Sequence, residues 1–168
     1  MYRGTNNHIY ALYLEGGSWK CAKLSESTGA PAASGDPAGY VRSDGTNMVV
    51  YRGTNNHIYA LYLPKGGSWN YADLTQAPTG ATGAPAASGD PAGCARSDRT
   101  NSVVYRGEDK HIYELYKSGD SWRYYDLTIL SAAPVGASGN PVGYVRSDGK
   151  SPVVYRGEDK HIYELILR

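Results

Sequence analysis

Thirteen residues, YRGTNNHIYALYL, occupy positions 2–14 and return letter for letter at positions 51–63. A relaxed copy, YRGEDKHIYEL, stands at 105–115 and again at 155–165. The histidines that anchor the copies, His8, His57, His111 and His161, are 49, 54 and 50 residues apart. Trp19, Trp69 and Trp122 keep the same beat, at intervals of 50 and 53. A period near fifty marks a repeat architecture, in which each unit is one supersecondary motif that buries its faces only against its neighbours.

One unit can be read from Gly39 to Ser88. GYVRSDG leads into an Asp-Gly turn, a strong hairpin signal. MVVYRG follows, β-branched and aromatic, then the turn TNN and the strand HIYALYL. In that strand Ile58, Ala60 and Tyr62 face one way and His57, Tyr59, Leu61 and Leu63 the other. KGGS turns the chain into SWNYADL, and a Pro/Ala/Gly connector closes the unit. Four short antiparallel strands per unit are therefore expected, and no segment carries the apolar spacing of a helix. The connectors share a near-repeated GAPAASGDPAG, which predicts an ordered surface loop rather than a flexible linker. Both strand faces are apolar or aromatic, as in sheets packed on both sides by neighbouring sheets.

The expected class is all-β, with β-propeller blades of four antiparallel strands. Met1 aligns with Val50, so the chain opens in a second strand and closes after a third, giving about 3.5 blades and fourteen strands. The expected organisation is a single repeat domain, with a partial blade over 1–38, blades over 39–88 and 89–138, and a partial blade over 139–168. A β-trefoil has no place for the fourth hairpin. An incomplete ring exposes strand edges and blade faces, so completion by a second copy, as a homo-oligomer and in the simplest case a dimer, is expected.

Seventeen Lys+Arg against sixteen Asp+Glu leave a net charge of +1, which gives no general attraction to nucleic acid or anionic lipid. No long apolar run predicts a membrane-spanning helix. MYRGTNNHIY has no apolar signal-peptide core, which points to a cytoplasmic chain or to export by a non-classical route. Sixteen Tyr, three Trp and no Phe suit half-buried strands and wet binding surfaces. Cys21 and Cys94 stand where other copies have Tyr, at unrelated points of the repeat, and read as isolated replacements rather than a disulfide.

The combination GDPAGYVRSDGTN, VVYRGTNNHIYALYL and GGSW…DLT resembles the blade repeat of the bacterial seven-bladed propeller lectins, the Photorhabdus-type group that binds fucose and O-methylated sugars. The resemblance covers nearly the whole chain and implies a non-enzymatic sugar-binding protein with pockets between adjacent blades. It departs from that group in blade number, since this chain has material for about half of seven.

Sugars offer C–H faces to aromatic rings and hydroxyls to planar donors and acceptors. Trp19, Trp69 and Trp122 open the fourth strands, and the turns that hold them share a rim with the end of strand one. Candidate sugar-binding residues are therefore these three tryptophans with Arg42, Arg96, Arg146, Asp44, Asp148, Tyr40 and Tyr144. Trp69 is expected near the level of Arg42, Ser43 and Asp44, within its blade or across to the next. Both the tryptophans and the arginines have structural alternatives, as wedges between blades or ties to a connector. Copy three has Arg99 in place of the turn glycine, and Cys94 and Ala95 in place of Tyr and Val, so its pocket is the one expected to be impaired.

No catalytic residues are expected. Glycoside hydrolysis uses two carboxylates flanking one bond, whereas the acids here sit at turns and recur in every copy. Metal ligands are not expected either, because one His per blade is kept apart by the repeat. No cofactor is implied. Rival readings are a propeller scaffold or a truncated blade-repeat assembly that binds nothing and, further off, a glycosidase.

Overall fold

A computed structural model describes residues 1–134 and 136–166 of the chain. The first sheet contains β1 (Tyr2–Arg3), β2 (Ile9–Glu15) and β3 (Ser18–Lys23). The second contains β4 (Ala38–Val41), β5 (Asn47–Arg52), β6 (Ile58–Leu63) and β7 (Asn70–Asp73). The third contains β8 (Ala92–Ala95), β9 (Asn101–Arg106), β10 (Ile112–Ser118) and β11 (Ser121–Asp126). The fourth contains β12 (Val142–Gly143), β13 (Val153–Arg156) and β14 (Ile162–Leu165). Every sheet is an antiparallel meander in sequence order. The tally of three, four, four and three strands matches the fourteen expected, and the sheets pack face to face as blades.

The alternation along the strands decides which blade each residue touches. Ile58 and Ala60 enter a core with Val103, Tyr105, Leu115 and Trp122 of the third sheet. Tyr59 and Leu61, one residue out of phase, enter the core shared with Ile9 of the first sheet and with Leu24, which follows that sheet's last strand. A third core joins Val104 and Ile112 to Val153, Tyr155 and Leu165. Each large apolar side chain so buried contributes roughly 1.5–3 kcal/mol relative to exposure. A one-residue slip would exchange the two faces of a blade, so the double-sided apolar pattern fixes the register.

The repeated hairpin and the repeated connector are one device. Asn7, Asn56 and Lys110 adopt left-handed φ of 62°, 63° and 69° in the hairpin turn. Their carbonyls accept bonds of 2.8 Å from the amides of Ala33, Ala87 and Ala137 in the following connectors. The next residues, Ser34, Ser88 and Ser138, donate to Arg52, Arg106 and Arg156 at the strand ends of the succeeding sheets, also at 2.8 Å. Each connector thus ties two blades together and is ordered, as its composition predicted. Tyr51 and Tyr105, fully buried, donate to the carbonyls of Pro31 and Pro85 at 2.9 Å. Gly53 must lack a side chain, because a Cβ there would meet the Tyr59 ring at 2.5 Å.

Two short helices were not legible in the apolar spacing. α1 (Leu24–Thr28) and α2 (Leu127–Leu130) each begin where strand four ends. Their leading leucines are buried between blades, and Asp126 caps α2 by accepting from Ile129 N. Helices of five and four residues span little more than one apolar period, so no repeat of that period can register them.

Candidate functional site

The end of β4 carries Arg42, whose amide donates to Thr46 O at 2.9 Å and closes the tight turn around Asp44 and Gly45. The side chain runs back over the face of the second sheet that looks toward the third. There it lines a cavity of about 190 Å³ with Met48, Ala60, Tyr62, Ala72 and Leu74 of its own blade. The opposite wall comes from the third sheet, with Lys117 and Asp120 at the β10–β11 turn and Trp122 at the start of β11. Thr79, in the second connector, completes the lining and accepts from Trp122 N at 2.8 Å, which fixes the indole's backbone.

The arrangement combines an apolar floor, one aromatic wall and a few charged groups at the mouth. Trp122 is only 7% exposed, so it is both a wedge between blades and a wall of the cavity. Arg42 makes one ion pair, at 2.8 Å to Asp44 on the rim. Its Nε is buried without a hydrogen-bond partner. Burial draws the Asp44 carboxyl upward, but the Thr46 amide and hydroxyl and the Arg42 guanidinium outweigh it and hold the group below its ordinary range. Two cations, Arg42 and Lys117, and two acids, Asp44 and Asp120, leave the mouth electrically balanced.

The other candidates fall elsewhere. Trp69 is not beside Arg42; it packs half-buried against the core between the first and second sheets. Trp19 is 73% exposed on the outer face of the first sheet. The tryptophan that shares a cavity with an arginine comes from the following blade: strand one packs against the next strand one, Trp122 is held by the connector carbonyl of Thr79, and the Arg42 side chain reaches the same cavity across the face of its own sheet. Arg96 points at Glu114 and forms a close ion pair with it. Burial pushes the Glu114 carboxyl up, against the pull of Arg96. Arg146 pairs with Asp148 at 3.0 Å and Glu164 at 3.1 Å. Tyr40 packs against the core, its ring filling the space left by the absent side chain of Gly93, and burial raises its phenol. Tyr144 is exposed and donates to Glu164 at 2.7 Å.

Lys117, Asp120, Thr79 and the small residues Ala60 and Ala72 were not among the candidates. Ala60 and Ala72 could have been found by tracing the strand face that carries Ile58. Thr79 had no such signal, since it lies in a connector whose path the sequence does not reveal. The histidines bond locally: His57 to Asp73 and His111 to Asp126, both at 2.7 Å. His8 faces Ser25 at 3.1 Å, because copy one has Lys23 at the aspartate position. Among the described residues no group of three His, Cys, Asp or Glu could hold a metal ion. Among them, too, no helix is long and apolar enough to cross a membrane.

No protein-family model and no curated protein matches the sequence. Solved structures do match the fold. A fucose lectin from Kordia zhangzhouensis, in complex with methyl-fucoside, aligns at TM-score 0.50 and 15% identity over 78% of this chain and 91% of that one. A mutant of the Aleuria aurantia lectin, in complex with α-methyl-L-fucoside, aligns at TM-score 0.63 and 14% identity over 97% of this chain and 50% of that one. A mutant of AofleA from Arthrobotrys oligospora, with three arginines replaced by alanine, aligns at TM-score 0.58 and 16% identity, with coverage of 99% and 49%. The chain spans about half the length of the Aleuria and Arthrobotrys proteins. At these identities the likeness concerns the fold, and the chain is a partial β-propeller of the kind seen in these proteins.

Proposed function

We propose that the chain is a carbohydrate-binding lectin without catalytic activity, and that the Arg42–Trp122 cavity is its sugar site. The observation that carries this reading is the cavity between two blades, in which a guanidinium faces an indole across an apolar floor. An aromatic wall takes a sugar's C–H face, and Arg42, Lys117 and Asp120 offer donors and an acceptor to its hydroxyls. Structural neighbours that bind methyl-fucosides support the sugar class. The resemblance to the Photorhabdus-type lectins adds O-methylated sugars, whose methyl groups suit the Met48, Ala60, Ala72 and Leu74 surface.

We also place a second copy of the chain on the outer blade faces. Leu12 and Trp19 are exposed on the first sheet at positions whose counterparts Leu61 and Trp69 pack against the preceding blade, and Leu14, paired with Trp19 across the strands, is exposed beside them. Ile162 is exposed on the fourth sheet, where its counterpart Ile58 packs against the following blade. The two outer faces are therefore the two halves of a blade–blade contact, and head-to-tail association brings them together. Multivalency follows from such association, with avidity gains of roughly 10²–10⁴ over a single weak site.

The test is a glycan array that includes fucosides and O-methylated sugars, read with the wild-type chain and with Arg42→Ala. Selective binding by the wild type that the variant loses, with the unfolding midpoint retained, is the expected result. A folded wild-type chain that binds no sugar overturns the reading in favour of a blade scaffold.

A further inference from the structure

In the first three sheets the last strand plays one repeated part. β3, β7 and β11 each pair with the strand before them and are each followed by a buried leucine, Leu24, Leu74 or Leu127. Leu24 shares a core with Ile9, Leu74 with Ile58, and Leu127 with Ile112. The next residue, Ser25, Thr75 or Thr128, accepts on its hydroxyl from the amide of that same isoleucine, at 2.9, 3.3 and 2.9 Å. In the second and third sheets the aspartate before the leucine pairs with the histidine before the isoleucine, as already described for His57 and His111.

The fourth sheet has three strands among the described residues, and β14 is its edge. Ile162 is 68% exposed there, and His161, open to solvent, turns to Asp159 of its own turn at 3.1 Å. The Gly157 amide donates to His161 O at 2.9 Å, and Tyr155 lies opposite Tyr163. Hydrogen-bonded pairs alternate along an antiparallel ladder, so Ile162 and Glu164 turn their N–H and C=O groups toward the open edge. Beside the edge runs a groove of about 1050 Å³, lined by Tyr125, Ala133, Pro134, Tyr163 and Leu165 with their neighbours. It repeats the Arg42 cavity one blade further on. Tyr125 holds the ladder position of Ala72, and the connector after the fourth strand lines both spaces. In the Arg42 cavity the facing wall is Trp122, a fourth-strand residue packed in one core with Leu115, the counterpart of Leu165.

We propose that the β14 edge and this groove form an acceptor for an extended peptide strand supplied in trans, of the type Trp-x-Tyr-x-Asp-Leu-Thr. That is the sequence shared by the fourth strands of the second and third sheets, Trp69–Thr75 and Trp122–Thr128. The strand lies antiparallel on β14, with its aspartate opposite Tyr163 as Asp126 lies opposite Tyr113. Its aspartate takes His161, its threonine hydroxyl takes the Ile162 amide, its leucine covers the Ile162 side chain, and its tryptophan enters the groove. Main-chain bonds along the edge supply affinity and the alternate side chains supply selection. β3 of a second copy suits the edge less well, because Lys23 stands at the aspartate position and offers His161 no acceptor. The acceptor edge lies in the plane of the sheet and is independent of the sugar site.

The probe is a synthetic peptide of residues 121–130, SWRYYDLTIL, added to the full chain. In the chain alone the Ile162 amide should exchange with solvent at least about tenfold faster than its counterparts Ile58 and Ile112, whose partners are in place, and saturating peptide should remove most of that difference. The Glu164 amide should slow with it. Anisotropy of the labelled peptide gives the affinity. Asp126→Ala in the peptide should weaken binding by about tenfold, the equivalent of one charge-assisted hydrogen bond, and should cost nothing further against a His161→Ala chain. A peptide of residues 18–27, SWKCAKLSES, should bind no better than the Asp126→Ala peptide.

An Ile162 amide already protected in the free chain, or unmoved by saturating peptide, overturns the acceptor. Equal affinity for the 121–130 and 18–27 peptides overturns the assigned chemistry and makes β3 of a second copy the occupant. The exchange measurement uses the wild-type chain, so the edge is tested even if His161→Ala does not fold.

Discussion

Removing the charge of Arg96 should be among the most damaging single changes in this protein. Glu114 is fully buried, and Arg96 is the cation paired with it. Arg96→Met keeps most of the packing of the arginine stem and deletes the charge, which strands a buried carboxylate. Breaking a buried pair in this way costs about 3–5 kcal/mol. For a chain of this length about 2–4 °C of melting temperature accompanies each kcal/mol, so the variant should melt roughly 6–20 °C lower. Glu114→Ala should cost less. It leaves Arg96 with a side chain that still reaches the rim, and alanine is the residue that already stands in this register in the second blade. The double variant should recover much of the loss of Arg96→Met, because no charge is then buried alone. Urea unfolding of the wild type and the three variants, followed by fluorescence, gives the coupling energy directly. A loss under about 0.5 kcal/mol for Arg96→Met, or a double variant as unstable as the sum of the singles, would refute a desolvated ion pair at this place.

Three further outcomes are expected. Arg99 holds φ 67° where Gly45 and Gly149 hold 82° and 81°, so Arg99→Gly should stabilise by about 0.5–1 kcal/mol in the same urea assay, relief of left-handed strain exceeding the entropy glycine adds to the unfolded chain; a lower midpoint would contradict it. The bond to Asp126 holds His111 above its ordinary value of 6.5, so its stabilising contribution is fully present below the unfolded-state pKa and fades as pH rises through the folded one. The stability gap between wild type and His111→Gln should therefore narrow from about pH 6 upward, and a gap that widens would show the wrong sign. Leu14 is 61% exposed on the outer face of the first sheet, so Leu14→Lys should lower the sedimentation mass of any head-to-tail assembly while leaving the melting temperature of the single chain nearly unchanged; an unaltered mass would remove that face from the contact.

Most of the architecture was written in the repeat. The recurring hairpin gave the strand number, the double-sided alternation gave the blade packing, and the shared GAPAASGDPAG gave an ordered connector. These are local properties: side-chain period, turn chemistry and strand propensity act over a few residues and can be read in order along the chain. The sequence likewise supplied two of the residues that line the interblade cavity. Arg42 and Trp122 both stood among the candidates.

What it could not supply was the pairing. Arg42 shares a cavity with Trp122, eighty residues away, rather than with Trp69 in its own unit, because the stacked sheets bring the Arg42 face of the second blade against the third, while Trp69 packs toward the first. Near-identical repeats conceal this, since each arginine has several tryptophans at plausible separations. The difference between Ala60 and Glu114 carries no meaning of its own when read along the chain. Only packing shows that the position lies on the face crossed by the strand-one arginine, where Glu114 forms a buried ion pair with Arg96 and Ala60 leaves Arg42 paired with Asp44 on the rim. Charge pairing depends on distance through space and on the removal of water, and both are set when the blades close on one another.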